Sequence, residues 1–380
     1  MRLREARLSD FRNLAEVRLS FSPGVNVFLG DNGQGKSNLL EALNYPALGR
    51  SYRGSADRDL VAFDRETTQV RVAAEAEDGA ERVFEYALRR DGVRRVRVDG
   101  EVLRRRHELV GRLATVVYDP QTVELVRGGP DNRRRFLDAG LSGLDPAYLH
   151  HLRSYRRALR HKTRLLRDLK GGFRPSLRLR DDLETWNREM AEHAVPLLAG
   201  RALYVRELSD VAARVHKAFA GVDSTLQLHY SQGVDVSQKD CSAADFKAEI
   251  LRVFDYIIED EIKRGRSLAG PHTDDVDIML GGARLRTFGS QGETRSAAIA
   301  LKLAQGELVF RKRRTRPVLF FDDIFSELDK ERSRQLQDMT ARDHQIFIAT
   351  ARAEDVQEWF PGRARRWTVR GGRIEEDDER

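Results

Sequence analysis

The feature that most constrains this chain is an eight-residue run, GDNGQGKS, at residues 30–37. It matches the pattern G-x-x-x-x-G-K-[ST], in which backbone N–H groups surround phosphate oxygens. The preceding run VNVFLG is apolar and rich in strand-forming residues, and the following run NLLEAL carries leucines at helical spacing. A strand, a glycine-rich loop and a helix in this order are the context in which the pattern binds a nucleotide. The sequence therefore predicts a phosphate-binding loop in an α/β fold.

Two side chains at the end of this loop have separate expected roles. Lys36 would reach the β- and γ-phosphates, and the hydroxyl of Ser37 would ligate Mg²⁺. The other loop residues predicted to contact the nucleotide are Gly30, Asp31, Asn32, Gly33, Gln34, Gly35 and Asn38. The loop thus predicts a nucleotide site that uses Mg²⁺.

Composition narrows the class of protein. The 380 residues can bury one large core or two linked domains. The net charge of +7 allows contact with a polyanion, although arginine-rich coding alone also produces such a charge. The single cysteine, Cys241, excludes an internal disulfide framework and a cysteine-based metal cluster. The first ten residues have no apolar signal core, and no apolar run approaches ~18 residues. We therefore expect a cytoplasmic protein with no membrane segment.

The residue pattern changes twice along the chain. Residues 1–120 contain several short alternating or apolar runs typical of strands, and residues 121–265 contain long runs with helical spacing. Strand patterns return after residue 265. We therefore predict a two-lobed α/β head with mixed sheets, formed by residues 1–120 and 266–380. An all-helical arm, residues 121–265, would be inserted in it, without a long coiled coil.

A second acidic motif lies far from the phosphate-binding loop. The apolar run from Val318 to Phe321 is followed directly by Asp322 and Asp323. An acidic residue after a buried strand is where phosphate-loop enzymes hold Mg²⁺, which predicts Asp322 as a metal ligand. Asp323 would then face the attacking water as a base or water-positioning residue. An ordinary acidic loop after a strand is the alternative. Because the two motifs lie at opposite ends of the chain, a compact nucleoside kinase is disfavoured.

The run SQGETRS, residues 290–296, has two compatible interpretations. Ser290 and Glu293 form the capping-box pattern S-x-x-E at the start of a predicted helix. A helix start that carries Gly292 also offers free N–H groups and a positive dipole end to a phosphate. We expect this segment to cap its helix and to contact a nucleotide.

Several motifs together resemble a known family. The phosphate-binding loop, the distant Asp-Asp strand, the S-x-G-[EQ] run and SELD at residues 326–329 resemble an ABC-type ATPase head. FRNL at residues 11–14 resembles the heads of chromosome-maintenance and Rad50-like proteins. More narrowly, LVRGGPDNRRRFLD at residues 125–138 and GRSLAGPHTDDV at residues 265–276 resemble the RecF family of bacterial recombinational repair ATPases. The similarity covers nearly the whole chain.

The resemblance implies cofactors and further site residues. Such heads bind ATP and Mg²⁺ and form a homodimer, in which Ser290, Gly292 and Glu293 of one subunit close over the ATP of the other. Gln121 resembles the glutamine that senses the Mg²⁺-bound nucleotide and contributes to its metal and catalytic site. The remaining matched positions are Asp329, at the dimer seam, and Arg12, which would reach the nucleotide or report DNA binding. An ordinary surface arginine remains the alternative for Arg12.

The resemblance also implies partners. RecF-like proteins bind duplex DNA near single-strand gaps, act with RecR and RecO, and help to load RecA, with slow hydrolysis releasing the DNA. No membrane partner is expected. Basic clusters occur at residues 104–106, 133–135, 153–167 and 311–316. Each is also typical of a solvated surface, but together they predict a phosphate-contacting surface without base readout.

The chain departs from the pattern in three motifs. Transporter relatives carry a histidine where this chain has Thr350 and Ala351, and Asp323 stands where many ABC enzymes have the longer glutamate. The shorter side chain predicts slow hydrolysis. Thr273 stands where the RecF family more usually shows arginine, so a role that depends on that arginine is not expected here.

Three other functions stay open at this stage. A transporter's ATP-binding subunit would normally have a shorter distance between its two nucleotide motifs. A full chromosome-maintenance protein would need a long coiled coil that no segment provides. A nucleotide-binding scaffold that never hydrolyses ATP would share every motif, and only separate changes at Lys36 and Asp323 distinguish it.

Overall fold

The structure, a computed structural model, describes residues 1–170, 177–221, 224–234, 242–340, 343–352 and 364–377, with backbone alone at 177–180 and 326–327. Cys241 lies outside the described residues. The strands are β1 (Arg2–Phe11), β2 (Leu14–Ser20), β3 (Val25–Leu29), β4 (Thr67–Glu75), β5 (Glu81–Arg89), β6 (Arg94–Val98), β7 (Glu101–Leu103), β8 (Thr115–Tyr118), β9 (Leu226–Ser231), β10 (Asp275–Leu280), β11 (Ala283–Arg284), β12 (Val318–Asp322), β13 (Ile346–Thr350), β14 (Ala364–Arg370) and β15 (Arg373–Glu376). The helices are α1 (Lys36–Leu48), α2 (Glu124–Arg127), α3 (Pro130–Leu144), α4 (Pro146–Lys170), α5 (Leu177–Ala220), α6 (Ala243–Arg264), α7 (Leu285–Phe288), α8 (Gln291–Arg313) and α9 (Lys330–Thr340).

The chain divides into two compact units. The first contains Met1–Thr122, Arg214–Asp223 and Ser296–Arg380, and the second contains Val123–Ala213 and Ser224–Arg295. The predicted domain boundaries, 1–120 with 266–380 and 121–265 between them, stay a prediction.

The first unit contains two six-stranded sheets of different construction. One is antiparallel, with the order β2-β1-β4-β5-β6-β7, and the other has the order β15-β14-β3-β13-β12-β8. In the second sheet β14, β3, β13, β12 and β8 run parallel. Its central strands VNVFL, IFIAT and VLFFD are continuous apolar runs, as expected of parallel strands that are buried on both faces.

Helix α1 shares one hydrophobic core with both sheets of the first unit. Its residues Leu39, Leu40 and Leu43 are fully buried, in the same cluster as side chains of the antiparallel sheet and as Phe320 and Phe347 of the parallel sheet. Strand β13 pairs with β3 on one side and with β12 on the other. The carboxyl ends of β3 and β12 therefore lie one strand apart, at the edge where an open parallel sheet places its ligands.

The second unit is mainly helical and confirms the predicted helical insertion. The apolar stripe between residues 183 and 219 forms a single 44-residue helix, α5, with Pro196 inside it. The prediction of an all-helical arm was wrong in one respect, because β9 lies within residues 121–265. Its sequence LQLHYS alternates, and β9 pairs antiparallel with β10, so Leu228 lies opposite Ile278. Among the described residues, no helix combines the length and apolar character that a membrane crossing requires.

Candidate nucleotide-binding site

The phosphate-binding loop connects β3 to α1 through backbone conformations that favour glycine. Gly33 and Gly35 have φ angles of 81° and 120°, a region that residues with a Cβ atom rarely adopt. Gly30 has a second constraint, because an added Cβ would lie 2.3 Å from the backbone oxygen of Val369 on β14. The predicted order of strand, glycine loop and helix is therefore confirmed, and β14 explains why the first position lacks a side chain.

Lys36 folds back across this loop. Its Nζ donates to the backbone oxygen of Gly30 at 2.6 Å and to that of Asp31 at 2.9 Å. Burial lowers the pKa of Lys36, and the carboxylates of Asp323 and Asp322 oppose that shift. A phosphate in the loop would replace two neutral carbonyl acceptors with charged oxygens, which form stronger hydrogen bonds with an ammonium group.

Ser37 and Asp322 meet at the carboxyl edge of the parallel sheet, although 285 residues separate them. Ser37 Oγ donates to Asp322 Oδ1 at 2.7 Å, and Tyr52 Oη donates to Asp322 Oδ2 at 3.1 Å. Burial raises the pKa of Asp322, while these two hydroxyl donors oppose the rise. Burial also raises the pKa of Tyr52 well above its ordinary value, so the phenol stays protonated and donates. Both oxygens of this carboxylate thus have a neutral donor.

A single buried carboxylate beside a hydroxyl suits Mg²⁺. That ion keeps several waters and binds through one or two carboxylates together with substrate phosphates. In the part of the chain that the structure describes, no three His, Cys, Asp or Glu side chains are grouped so that they could hold a metal ion. An ion beside Ser37 and Asp322 would therefore take further oxygens from nucleotide and water, which is the chemistry that Mg²⁺ prefers.

Asp323 and Gln121 follow neighbouring strands at the same sheet edge. Asp323 comes directly after β12 with a φ of 56°, a left-handed conformation that Asp tolerates better than most residues. Its backbone N–H donates to the oxygen of Ala349 at 2.9 Å. Gln121 is exposed in a short turn at Pro120–Val123, after β8, the strand that pairs with β12. The roles of Asp323 in water activation and of Gln121 at the metal stay predictions.

Arg12 bonds to a buried acidic residue of α1. Arg12 Nε donates to Glu41 Oε2 at 2.5 Å, and Arg12 Nη2 donates to Ser55 Oγ at 2.6 Å. Glu41 is only 1% exposed and also accepts from the hydroxyl of Ser51. The segment 51–55 is thus connected to Asp322 through Tyr52 and to Arg12 through Glu41 and Ser55.

Two of the predicted loop contacts, Gln34 and Asn38, bond to neighbouring protein groups. The backbone N–H of Gly371, at the turn between β14 and β15, donates to Gln34 Oε1 at 2.6 Å. Asn38 Nδ2 donates to Asn13 Oδ1 at 2.8 Å, and Asn38 Oδ1 accepts from Arg53 Nη1 at 2.9 Å. The other loop residues, Asp31, Asn32 and Gly33, are exposed. The nucleotide contacts of these residues stay predictions.

The chain is similar to known proteins over nearly its whole length. The family model for the RecF/RecN/SMC N terminal domain matches residues 2–362. The DNA replication and repair protein RecF of Symbiobacterium thermophilum is 36% identical over 388 residues, which cover 100% of this chain and 99% of that protein. The chain belongs to the RecF family. The RecF of Roseiflexus castenholzii is 35% identical over 390 residues, covering 97% of this chain and 98% of that protein.

Solved structures agree with the family assignment. The recombination mediator protein RecF-ATPrS of the RecFOR pathway superposes with a TM-score of 0.90 at 29% identity, over 98% of this chain and 97% of that one. The Smc head domain of Pyrococcus furiosus, with an extended coiled coil, has a TM-score of 0.57 at 17% identity, over 99% of this chain and 96% of that one. The second likeness shows the fold alone, a mixed α/β head of the ABC and SMC type.

The segment that resembles the ABC signature spans residues 290–296. Its residues 290–295 belong to the second unit, and Ser296 belongs to the first. The backbone N–H of Glu293 donates to Ser290 Oγ at 3.2 Å, and the backbone N–H of Ser290 donates to Glu293 Oε2 at 2.9 Å. The predicted capping box is therefore confirmed. Ser290 and Glu293 are exposed and Gly292 is half-buried, at the start of the 23-residue helix α8. Their contact with a nucleotide stays a prediction.

Two further predicted positions have local structural partners. Asp329 Oδ1 accepts from the backbone N–H of Arg332 at 2.8 Å, at the start of α9. Thr273, which departs from the RecF pattern, donates through Oγ1 to the oxygen of Gly270 at 2.8 Å and lies at 3.0 Å from that of Gly233. Thr273 therefore closes a turn. The predicted role of Asp329 at a dimer seam stays a prediction.

The sequence interpretation missed one residue at the site and misjudged another in a basic cluster. Tyr52 carries no motif, and only its contact with Asp322 reveals it. Arg133, in the RecF-like segment, is 3% exposed and forms a two-point ion pair with Asp275, at 2.6 and 3.0 Å. Inclusion of Arg133 in a phosphate-contacting surface was wrong, because a buried and paired guanidinium is not presented to solvent.

Proposed function

We propose that this chain is a slow ATPase of recombinational DNA repair. ATP with Mg²⁺ would drive two copies to dimerise around duplex DNA near single-strand gaps, and hydrolysis would release the DNA. The observation that carries the proposal is the 2.7 Å hydrogen bond between Ser37 and Asp322. It brings the phosphate-binding loop and the acidic strand end to one point, with Asp323 next in the chain.

Each candidate site residue of the first unit has a defined role in this proposal. The loop would bind the phosphates through its N–H groups, and Lys36 would exchange its carbonyl acceptors for phosphate oxygens. Ser37 and Asp322, with Gln121, would hold Mg²⁺, which offsets the negative charge on the β- and γ-phosphates. Asp323 would orient the attacking water and accept its proton. Asp is shorter than the glutamate of many relatives, which favours slow turnover.

Dimerisation would complete the site. Ser290, Gly292 and Glu293 lie at the start of a long helix, whose N–H groups and dipole favour a phosphate. In the proposed dimer they approach the γ-phosphate held by the other subunit, with Asp329 at the seam and Arg12 near the nucleotide. The RecF-ATP and RecF-ATPrS structures of relatives support nucleotide binding by this fold.

The proposed partners follow from the relatives and from charge. Relatives are DNA replication and repair proteins, and one solved relative acts in the RecFOR pathway. The net charge of +7 suits a phosphate backbone. We accordingly include RecR, RecO and RecA as partners in a cytoplasmic repair reaction.

The test is ATP hydrolysis per subunit, measured against protein concentration with and without duplex DNA. The proposal expects the rate to rise with concentration and to rise further with duplex. Lys36→Ala should lower the affinity for nucleotide by about 10- to 100-fold, because charge-assisted hydrogen bonds to phosphate are lost. Asp323→Asn should keep binding, lose turnover and prolong the dimer. If Asp323→Asn matches the wild type in turnover and dimer lifetime, the chain is a nucleotide-binding scaffold instead.

A further inference from the structure

Helix α4, in the second unit, carries a line of arginines that the nucleotide site does not use. Its 25 residues contain six arginines and two lysines but only one acidic residue, Asp168. Five of the arginines recur at steps of four and three residues, which places them on one side of an α-helix. We call these five residues the α4 stripe: Arg153, Arg157, Arg160, Arg164 and Arg167.

The α4 stripe faces away from the core. All five of its residues are exposed. The buried residues of α4 recur on the opposite side of the helix, beginning with Tyr148, Leu152 and Tyr155 and ending with Leu166 and Leu169. At 1.5 Å per residue, the stripe extends over about 21 Å of helix. The stripe is therefore a continuous cationic edge and not a set of scattered charges.

In the part of the chain that the structure describes, carboxylates pair with few of the stripe's arginines. Among the described residues, no ion pair joins Arg157, Arg160, Arg164 or Arg167 to a carboxylate. The neighbouring Arg156, which is outside the stripe, does pair with Asp138 at 2.8 Å. Like charges three or four residues apart on a helix repel each other and destabilise it. The stripe thus places like charges next to one another, and an external anion would relieve their repulsion.

We propose that the α4 stripe binds the phosphate backbone of duplex DNA. Duplex DNA carries one negative charge per about 1.7 Å of its axis, so a length of about 21 Å offers roughly a dozen phosphates. Arginine binds phosphate with a planar donor fork, and this stripe contains no interleaved acid or aromatic side chain for base readout. Contact with backbone alone is independent of sequence. The inference rests on the proposed function, and it names the surface that the DNA would occupy.

The test compares two triple variants of the full chain with equal loss of charge. Arg157→Ala, Arg160→Ala and Arg164→Ala remove the centre of the stripe. Arg188→Ala, Arg206→Ala and Arg252→Ala remove three exposed arginines from α5 and α6. Binding of a short labelled duplex is measured by fluorescence anisotropy, with ATP and Mg²⁺ present, across a range of salt concentrations.

The stripe variant should weaken duplex binding strongly and flatten its salt dependence. Because each phosphate contact contributes about 0.9 to the slope of log affinity against log salt, three lost contacts should reduce that slope by about 2.7. The α5 and α6 variant should keep the wild-type slope. A stripe variant with Lys in place of Arg should recover most of the slope, because lysine retains the charge.

Stability separates this role from a structural one. Removal of repelling charges should leave the melting temperature of the stripe variant unchanged or higher, whereas loss of a structural contact would lower it. The proposal is overturned if the stripe variant keeps the wild-type slope of log affinity against log salt, or if the α5 and α6 variant loses as much of that slope. Either result would leave the proposed nucleotide binding and turnover unaffected. If wild-type protein shows no salt-dependent duplex binding at all, the DNA part of the proposed function fails instead.

Discussion

Two buried clusters in this chain each combine a basic side chain with aspartate but give these charges different partners. In the second unit, the Arg201 guanidinium donates to Asp138 at 2.7 Å and to Asp274 at 2.6 Å, so the cation is matched by two carboxylates. In the first unit, Asp322 accepts from neutral hydroxyls and Lys36 donates to neutral carbonyls. The first arrangement is complete within the protein. The second leaves charges whose stronger partners would be a metal ion and a phosphate.

This difference indicates which cluster serves the fold and which serves a ligand. Arg201 is 2% exposed, and Asp274 also accepts from the hydroxyl of Tyr230 and from the backbone N–H of Gly233. Every one of these contacts joins parts of the second unit. The nucleotide cluster, by contrast, lies at an open sheet edge with exposed loop residues beside it. Four changes should sharpen or break the contrast, from the largest expected effect to the smallest.

Arg201→Ala should lower the free energy of unfolding by about 3–5 kcal/mol, because it leaves the buried Asp274 without its paired cation and Asp138 with only the half-exposed Arg156. Chemical denaturation measures the loss. The control is Arg188→Ala on the same helix, whose ion pair with Glu184 is exposed and should contribute under ~0.5 kcal/mol. Nucleotide affinity of the folded Arg201 variant should stay near the wild-type value. A loss no larger than the control's would mean that the cluster does not support the fold.

His272 should make the second unit sensitive to acid. Burial lowers the pKa of His272 to about 4, and its Nδ1 lies 2.6 Å from the protonated hydroxyl of Tyr155. The unfolded chain, with an ordinary histidine pKa near 6.5, binds more protons than the folded chain between those values. This contribution is therefore fully present above pH 6.5 and is lost as the pH falls towards 4, by an amount on the order of 3 kcal/mol.

The measurement for this prediction is the free energy of unfolding from pH 4 to 7, in wild type and in His272→Gln. The slope of stability against pH should be positive for wild type and smaller for the variant, because the variant lacks the titrating group. Other groups in the second unit contribute equally to both curves, so the difference isolates His272. Parallel curves would contradict the buried neutral histidine.

Tyr52→Phe should raise the Mg²⁺ concentration needed to strengthen nucleotide binding by about 10-fold, because a donor that orients a metal-binding carboxylate is lost. Affinity for nucleotide without Mg²⁺ should not change, since the hydroxyl that is removed donates to Asp322. Tyr45→Phe is the matched control, because its hydroxyl donates to Asp57, at 3.2 Å. The same shift in both variants would mean that Tyr52 acts only through packing.

Asp322→Asn should have the smallest effect on stability and still abolish the Mg²⁺ dependence. The carboxylate is 6% exposed, and its hydrogen-bond donors among the described residues are the neutral hydroxyls of Ser37 and Tyr52. A neutral amide should therefore leave the melting temperature unchanged or raise it, within about 1 kcal/mol. Thermal unfolding and Mg²⁺ titration of nucleotide affinity test both statements. A loss of several kcal/mol would place Asp322 with Arg201, as a residue that the fold requires.

The sequence predicted the parts of the site that are encoded locally. The run at residues 30–37 has a fixed spacing of glycines and lysine, and the strand before Asp322 is an uninterrupted apolar run. These patterns are enough to predict both strand ends, because parallel strands place their carboxyl ends at one edge. The capping box at Ser290 was likewise visible, because it depends on two residues within one turn.

Contacts between distant segments could not be predicted in the same way. Tyr52 lies in an irregular segment, and 270 residues separate it from Asp322. Arg133 lies in a basic run that is typical of a solvent-facing surface, but it pairs with Asp275, which is 142 residues away in the sequence. Strand β9 was missed because a short alternating run needs β10 beside it to become a strand. In each case, the deciding partner comes from another part of the chain.

The most direct test of a nucleotide site completed by a second subunit is complementation between two inactive variants. Asp323→Asn keeps the loop that binds ATP, and Ser290→Arg blocks the helix start that would close over the partner's ATP. Each variant alone should lose ATP hydrolysis. Because half of randomly mixed dimers pair the two variants and retain one intact site, an equal mixture should recover about a quarter of the wild-type rate. A mixture that stays inactive, or wild-type turnover by Ser290→Arg alone, would contradict a site shared between subunits.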